Sequence, residues 1–459
     1  MSQNSSIGKS VIIGLGQTGL SVAKYFARRN IDFKVLDTRL TPPNLDEFKS
    51  IFPEIEIETG ELREESVFGA KELVVSPGLG INMPVLSEAK RKGIPITGDI
   101  DIFSRSITSP ILAVTGSNGK STVVAILASI LEKAGKSYGL GGNLDGKNFK
   151  PALDLLNEEP REFYVLELSS FQLETTKNLR AEASVILNLC SDHMDRYKNL
   201  EEYHQAKLRI FNGCRQVVVN RDDLYSYPQV KMDVPTWDFG FGNPGAKGLG
   251  ILEEDGDQYL AFQYEKIISV EDLKIFGQHN LSNVMAAIGL ALAVNINMQV
   301  IRSALLEFPG LPHRCQWVRN ISGIDFYNDS KGTNVGATVA AIEGLGERID
   351  GHIVLIAGGL AKGADFHALV PAINRWGKEI ILIGQDALKI AQNFNQSISP
   401  QFSEDMHGAV SSALRAASPG DAVLLSPACS SFDMFRDFQD RGEKFINSVN
   451  EIGSKCENL

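Results

Sequence analysis

Short runs of Val, Ile and Leu recur along the whole chain, each closed by glycine or a polar residue and followed by a helix-like stretch. An apolar run without alternation is the pattern of a strand buried on both faces. Its repetition between helices predicts parallel sheets built from βα units. The runs fall into three blocks. The first holds SVIIGLG (10–16), DFKVLD (32–37) and ELVVSPG (72–78), with a helix from the first glycines to about Asn30. The second opens with PILAVTG (110–116) and continues with EFYVLEL (162–168), ASVILNL (183–189) and QVVVN (216–220). A Gly- and Pro-containing stretch over 225–275 reads as hairpins and loops, ahead of a helix that begins near GQHNLSN and runs through VMAAIGLALAV. The third block has IDFYND (324–329), GHIVLIAGG (351–359), EIILIG (379–384) and DAVLLSPA (421–428). Boundaries are expected near 98 and 312, the second after FPGLPHR, where two prolines and a glycine suit a linker.

Composition narrows the class. A chain of 459 residues divides into two to four domains at roughly 100–200 residues each. With 43% apolar and 22% charged residues, each domain can bury a core, which excludes disorder, collagen and coiled coil as the main architecture. The net charge of −11 and the lack of a basic stripe argue against nucleic acid as partner. An acidic total still permits an anionic ligand, because local cations and backbone N–H groups decide that. No apolar run reaches the ~18 residues of a membrane span. The start MSQNSSIGKS lacks the charged-then-apolar layout of a signal peptide. Five cysteines, never spaced C-x-x-C, support neither a disulfide framework nor a thiolate zinc site. A reduced, cytoplasmic protein without membrane insertion is expected.

TGSNGKST (115–122) follows the strand ILAV and precedes the helix-like VVAILASILEKAG. A Gly-rich turn at a helix start gathers backbone N–H groups at the positive end of the helix, the geometry that binds polyphosphate. Lys120 would reach the β- and γ-phosphates, and the Ser121 hydroxyl would sit on Mg²⁺. The spacing is a shorter variant of G-x-x-x-x-G-K-[ST], since Val114 stands at the first glycine position. Glu167 ends one neighbouring strand, and Asp192 and His193 follow another. Ligands of open α/β sheets bind beyond the carboxyl ends of strands, so these groups should converge on the loop as metal ligands. Alone, Glu167 reads as a cap and His193 as a packing residue. Lys207, on a helical pattern, reads by itself as a solvated surface lysine.

Gly14-x-Gly16-x-x-Gly19 after a strand, with Asp37 ending the next, fits the dinucleotide fingerprint. It admits a phosphate-bearing ligand, NAD among others, or tight helix–strand packing with none. Arg39 adds a cation suited to phosphate. In the third block NDSKGTN (328–334), GGLAKGADF (358–366) and SPACSSFDMF (426–435) each lie at a strand end. Lys331 and Lys362 could hold anionic groups there, and Ser431, Phe432 and Phe438 could surround a small ligand.

Taken together, TGSNGKST, LELSSFQLE, DHMDRY, GQHNLSN, GLPHR and NDSKGTN resemble the ATP-dependent Mur ligases of peptidoglycan synthesis over essentially the whole chain. LDTRLTPP (36–43), NDSKGTN and SPACSSFDMFRDFQDRG (426–442) resemble the branch that adds D-glutamate to UDP-N-acetylmuramoyl-L-alanine. The resemblance implies three α/β domains. A Rossmann-like domain (1–98) would bind the UDP substrate, a central mononucleotide-binding domain (99–312) ATP and Mg²⁺, and a Rossmann-like domain (313–459) D-glutamate. It places Gly16, Thr18, Asp37, Thr38, Arg39 and Asn143 at the UDP substrate, which turns the fingerprint away from NAD. ATP would meet Gly116, Ser117, Asn118, Gly119, Lys120, Ser121 and Thr122, with Asn280, Asn283, Arg314, Asp329 and Lys331. D-Glutamate would meet Thr333, Lys362, Ser431, Phe432 and Phe438. Lys120, Glu167, His193 and Lys207 are the implied catalytic set. Two Mg²⁺ sites are implied, from Ser121, Glu167, His193 and a Lys207 that the family carbamylates; such a lysine needs a lowered pKa. The implied enzyme is a monomer using small-molecule substrates. Two positions depart from the family pattern: Asp145, commonly Gly, and Ala361, commonly Asp. The rivals are an NAD-dependent oxidoreductase, a nucleotide-gated binding protein without turnover and, nearest among enzymes, a sibling ligase using another amino acid.

Overall fold

The computed structural model describes residues 8–143, 150–194, 196–245, 248–275, 277–361, 363–394 and 398–456. The first block forms a parallel sheet from β1 (Ser10–Ile13), β2 (Phe33–Asp37), β3 (Ile57–Thr59), β4 (Glu72–Val75) and β5 (Ile96–Thr97), in the order β3-β2-β1-β4-β5. Strand β1 is buried throughout, as an uninterrupted apolar run requires. The chain reverses direction across the sheet at β1, so the loop that follows it opens at a switch point, where ligands of such sheets bind.

The glycines of that loop divide the work. Gly14 has φ +97°, a left-handed conformation natural only to glycine. A Cβ on Gly19 would stand 1.9 Å from the Gly14 carbonyl oxygen, so the helix Gln17–Arg28 closes on β1 only because Gly19 has none. Around Gly16 a Cβ would meet nothing within 4 Å.

The second block builds nine strands: β6 (Ile111–Thr115), β7 (Tyr138–Gly142), β8 (Phe163–Glu167), β9 (Ala183–Ile186), β10 (Val217–Asn220), β11 (Thr236–Phe239), β12 (Gly248–Glu254), β13 (Asp257–Phe262) and β14 (Glu265–Ser269). Their order is β14-β13-β12-β11-β10-β9-β6-β8-β7. Strand β6 lies between β9 and β8, again at a switch point. The helix Lys120–Lys133 that follows it buries Val123, Val124, Ile126, Leu127, Ile130 and Leu131, and each such side chain contributes about 1.5–3 kcal/mol.

The stretch over 225–275 is more regular than hairpins and loops. Strands β11 and β12 continue the parallel run, and only β12–β14 fold as antiparallel hairpins. The β12–β13 turn is Asp255-Gly256, both at positive φ, the Asp-Gly chemistry that a two-residue hairpin favours. The expected helix near GQHNLSN is present as Gln278–Ala293.

The third block forms a sheet from β15 (Gln316–Ile321), β16 (Ile324–Asn328), β17 (Ile353–Gly358), β18 (Gly377–Ile383), β19 (Gln401–Phe402) and β20 (Ala422–Leu425), in the order β15-β16-β20-β17-β18-β19. Only the β15–β16 pair is antiparallel. The last strand inserts between β16 and β17, which brings the loops after all three to one edge. By compactness the chain forms two units. One comprises Met1–Val270 and Asn283–Leu305; the other comprises Glu271–Ser282 and Leu306–Leu459. The first carries the first two sheets and the second carries the third. Among the described residues no helix is long and apolar enough to cross a membrane.

Gly19→Ala should lower stability by about 2–3 kcal/mol in urea unfolding, because overpacking displaces backbone. Gly16→Ala should stay within about 0.5 kcal/mol of wild type. Equal losses would remove the distinction between packing and open positions.

Candidate nucleotide and substrate sites

The loop after β6 holds Gly116 at φ +153° and Gly119 at φ +84°, with Gly119 capping the helix Lys120–Lys133. A helix start leaves its first N–H groups without intrahelical partners, and these face whatever the loop encloses. A Cβ on Gly119 would lie 2.1 Å from the Asn283 side-chain oxygen, so Asn283 is packed directly against the loop. Not all of the loop's donors face a ligand, however. The Ser117 N–H goes to the Asn188 carbonyl (3.0 Å) and the Asn118 N–H to the Asn188 side chain (2.9 Å). The Ser117 hydroxyl is placed between the backbone of Cys190 (3.0 Å) and the Tyr203 hydroxyl (3.2 Å). Ser117 and Asn118, expected at the nucleotide, therefore anchor the loop to the 188–190 segment. Asn188, Cys190 and Tyr203 were missed in the sequence because they only support the loop; Asn188, at the end of the ASVILNL run, was the available signal.

Ser121 donates its hydroxyl to Glu167 Oε2 at 2.7 Å, joining the helix start to the end of β8. Asn143 sits on the same carboxylate, 3.3 Å from Oε1, and its N–H bonds the Glu167 carbonyl at 2.7 Å. Two hard oxygen donors at a phosphate loop fit Mg²⁺. Lys120 donates to the carbonyls of Gly116 (3.0 Å) and Ser117 (3.1 Å). Lys207 is not a surface lysine. It is 1% exposed, donates to the Gly116 carbonyl at 2.9 Å and to the Thr115 hydroxyl at 3.3 Å, and its amine lies over the Tyr203 ring. Burial first, and the Lys120 charge second, hold its pKa well below the ordinary lysine value. A neutral amine is thereby favoured in the folded protein.

His193 adopts φ +57° and packs its ring 4.7 Å from that of Phe171. Its Nε2 lies 3.7 Å from the Asp192 carboxylate. Among the described residues no three His, Cys, Asp or Glu side chains are grouped to hold a metal. A second cation there would need an anionic ligand that an unmodified Lys207 does not offer.

In the first sheet, Asp37 is 1% exposed and its carboxylate is saturated. Oδ1 accepts from the Arg39 N–H and Nε (both 2.9 Å), and Oδ2 from the Leu15 N–H (2.6 Å) and Arg39 Nη2 (2.7 Å). A carboxylate has about four lone-pair sites, so the carboxylate of Asp37, a residue expected at the UDP substrate, is filled by these four donors. It fixes the Gly14–Gly16 loop and aims the half-exposed Arg39. Thr18 and Thr38 are half-buried at the same edge.

The second unit has its own cluster. The Cys315 N–H and the Ser426 hydroxyl donate to the Asp329 carboxylate at 3.2 and 2.7 Å, and the Lys331 N–H bonds the His313 carbonyl at 3.1 Å. Burial pushes Asp329 up to about 6, against the Ser426 hydrogen bond. Arg314 and Asn280 line a cavity of about 360 Å³ with Lys274 and Trp317. Lys331 places its amine 3.9 Å from the Phe438 ring centre. The loops after β16, β17 and β20 are joined through Ala428 N–H to Gly332 O and Leu360 N–H to Ser430 O. Thr333 is half-buried on the first and Ser431 buried on the third, while Phe432 is exposed. Ala361 gives its N–H to Asp386 at 2.8 Å. Lys362 and Asp145 lie outside the described residues.

Comparison with known proteins decides the family. A sequence profile described as Mur ligase MurD-like, N-terminal domain, matches residues 8–98; the Mur ligase middle domain matches 114–291; and the Mur ligase, glutamate ligase domain, matches 313–429. The chain belongs to the Mur ligase family. A Pseudomonas aeruginosa relative named UDP-N-acetylmuramoylalanine--D-glutamate ligase is 48% identical over 442 residues, 96% of this chain and 98% of that one. A Hahella chejuensis relative of the same name is 46% identical, over 96% of this chain and 98% of its own. In fold, the chain is similar to the UDP-N-acetylmuramate-alanine ligase MurC of Thermotoga maritima (TM-score 0.60, 18% identity, 97% of this chain and 99% of that one). The MurF ligase of the same organism, solved in complex with ADP, gives TM-score 0.60 at 15% identity over 98% and 95% of the two chains. Mur ligases are ATP-dependent and use Mg²⁺, and the Ser121–Glu167 pair beside the glycine loop suits both.

Two variants follow. Lys207→Met should be inactive yet as stable as wild type or stabler by about 1–3 kcal/mol at neutral pH, since it removes a buried amine. Retained turnover would take Lys207 out of the site. Asp329 has a folded pKa of about 6 against 3.8 for the free group. Between those values the native state keeps a proton the unfolded chain has released, so this group lowers stability as pH rises through the window. Asp329→Asn should flatten that part of the stability profile in denaturant titrations, and an unchanged slope would contradict the assignment.

Proposed function

We propose that this chain joins the amine of D-glutamate to the alanyl carboxylate of UDP-N-acetylmuramoyl-L-alanine, converting ATP to ADP and phosphate. The observation that carries it is the glycine loop with Ser121 on Glu167, in a chain 48% identical over 96% of its length to a ligase of that name. The proposal includes a cytoplasmic monomer with domains at 1–98, 99–312 and 313–459, for the UDP substrate, ATP and D-glutamate.

A carboxylate does not react with an amine at neutral pH because its oxygen is too poor a leaving group. In the proposed reaction the alanyl carboxylate oxygen attacks the γ-phosphorus and the bond to the β-phosphate oxygen breaks, giving an acyl phosphate and ADP. The unprotonated amine of D-glutamate then attacks the acyl carbon, and phosphate leaves with the proton that the nitrogen gives up. Positioning and charge stabilisation carry most of such a reaction. Lys120 turns from the loop carbonyls to the β- and γ-phosphates. Ser121 and Glu167 would hold Mg²⁺, which when bound would supply positive charge against the transferring phosphoryl group. Arg39, with Gly16, Thr18 and Thr38, receives the UDP moiety, and Asn143 lies near the reacting end. Asn280, Asn283, Arg314, Asp329 and Lys331 serve the nucleotide. Thr333, Lys362, Ser431, Phe432 and Phe438 serve D-glutamate.

A carbamate on Lys207 would turn this buried amine into an anion and complete, with His193, a second Mg²⁺ site. The depressed pKa of Lys207 supports the modification, because only a neutral amine adds carbon dioxide. With isotopically labelled bicarbonate, a carbamate resonance lost in Lys207→Met is expected; its absence from the wild type would refute the modification.

The purified protein with ATP, Mg²⁺ and UDP-N-acetylmuramoyl-L-alanine should form a product heavier by one glutamyl residue with D-Glu alone. Mass spectrometry of parallel tubes with L-Glu, L-Ala or a diamino acid checks this. Product from another amino acid, or ATP binding without product, would overturn the proposal.

A further inference from the structure

The geometry points to Arg196 as a positioning residue that fixes the 76–79 loop of the first sheet, which braces the Gly14 turn, against the His193 turn of the central sheet. This rests on the functional reading above. Its guanidinium donates from Nη1 to the Pro77 carbonyl and from Nη2 to the Leu79 carbonyl, each at 2.9 Å. The other side of the fork holds Glu174, with Nη2 2.6 Å from Oε2 and Nε 3.3 Å from Oε1. Residues 76–79 belong to the fingerprint site, because the Ser76 hydroxyl donates to the Gly14 carbonyl at 2.8 Å and the Leu79 N–H to the Ser76 carbonyl at 3.0 Å.

At the other end, the backbone N–H of Arg196 bonds the His193 carbonyl at 3.0 Å and helps hold that residue in its left-handed turn. Phe171 lies against both, with the Arg196 carbon 4.1 Å and the His193 ring 4.7 Å from its centre. One side chain thus ties the loop that braces Gly14, beside the residues proposed for the UDP moiety, to His193, proposed as a ligand of the second Mg²⁺. The Arg196 and Glu174 side chains are 14% and 9% exposed, so the pair is shielded from water and its geometry is held tightly. Only a planar fork spans two carbonyls and a carboxylate together; a lysine ammonium is a point charge with three donors.

Calorimetry of UDP-N-acetylmuramoyl-L-alanine binding without ATP, and turnover against Mg²⁺ concentration, test this on Arg196→Lys and Glu174→Gln. Arg196→Lys should weaken substrate binding about tenfold, the equivalent of one charge-assisted hydrogen bond. It should also raise the half-saturating Mg²⁺ concentration while leaving the KM for ATP within about twofold of wild type. Glu174→Gln keeps both carbonyl contacts and should shift the same quantities less. Unchanged substrate affinity and Mg²⁺ dependence in both variants, or a KM for ATP rising in step, would overturn the role. Should Arg196→Lys fail to fold, Glu174→Gln decides by the same criteria. A wild type that binds the UDP substrate but makes no D-glutamyl product would sink the functional reading alone; calorimetry would still decide for Arg196. A wild type that does not bind it overturns both.

Discussion

Two lysine amines meet on one backbone oxygen. Lys120 and Lys207 both donate to the Gly116 carbonyl, at 3.0 and 2.9 Å, and the rest of the central site depends on how that crowding is relieved. Two ammonium groups so close repel each other, more strongly where water is excluded. The buried Lys207 gives up its charge more readily, while Lys120 is only half-buried and its amine is open to a polyphosphate. The carbonyl is there to be shared because Gly116 holds a backbone angle that other residues rarely adopt, one residue after β6. A strand end, a glycine and two lysines thus define both the candidate phosphate site and a lysine with altered chemistry.

That arrangement shows what the sequence could reveal and what it could not. Strands with uninterrupted apolar runs, such as β1, β6, β17 and β20, were legible because burial on both faces leaves no polar position. Short or edge strands, including β3, β5, β7, β15 and β19, were not, since two to six residues of mixed character carry no period. The loop Gly116–Thr122 was legible from glycine spacing in its strand–helix setting. Lys207 was not, because helical spacing cannot tell which face of EEYHQAKLRI turns inward; its reading came from family resemblance. Asn188 and Tyr203 escaped notice because their chemistry is directed at backbone and hydroxyl groups of the loop, a role without a spacing rule.

The Gly14–Gly19 fingerprint is a sharper case, since it admitted a dinucleotide as readily as a UDP-sugar. In a dinucleotide site the acidic residue at the end of the second strand accepts ribose hydroxyls. Here Asp37 has no capacity left for that, as four donors from Leu15 and Arg39 already occupy its oxygens. A ribose hydroxyl donor could displace them only by breaking the Arg39 ion pair or by leaving the Leu15 N–H unsatisfied beneath the loop, the latter costing about 1–3 kcal/mol. The same carboxylate that completes the fingerprint in sequence is therefore the group that turns the site away from NAD. It presents instead an arginine held in one orientation beside an open glycine, a pairing suited to a phosphate-bearing ligand whose ribose is recognised by other means.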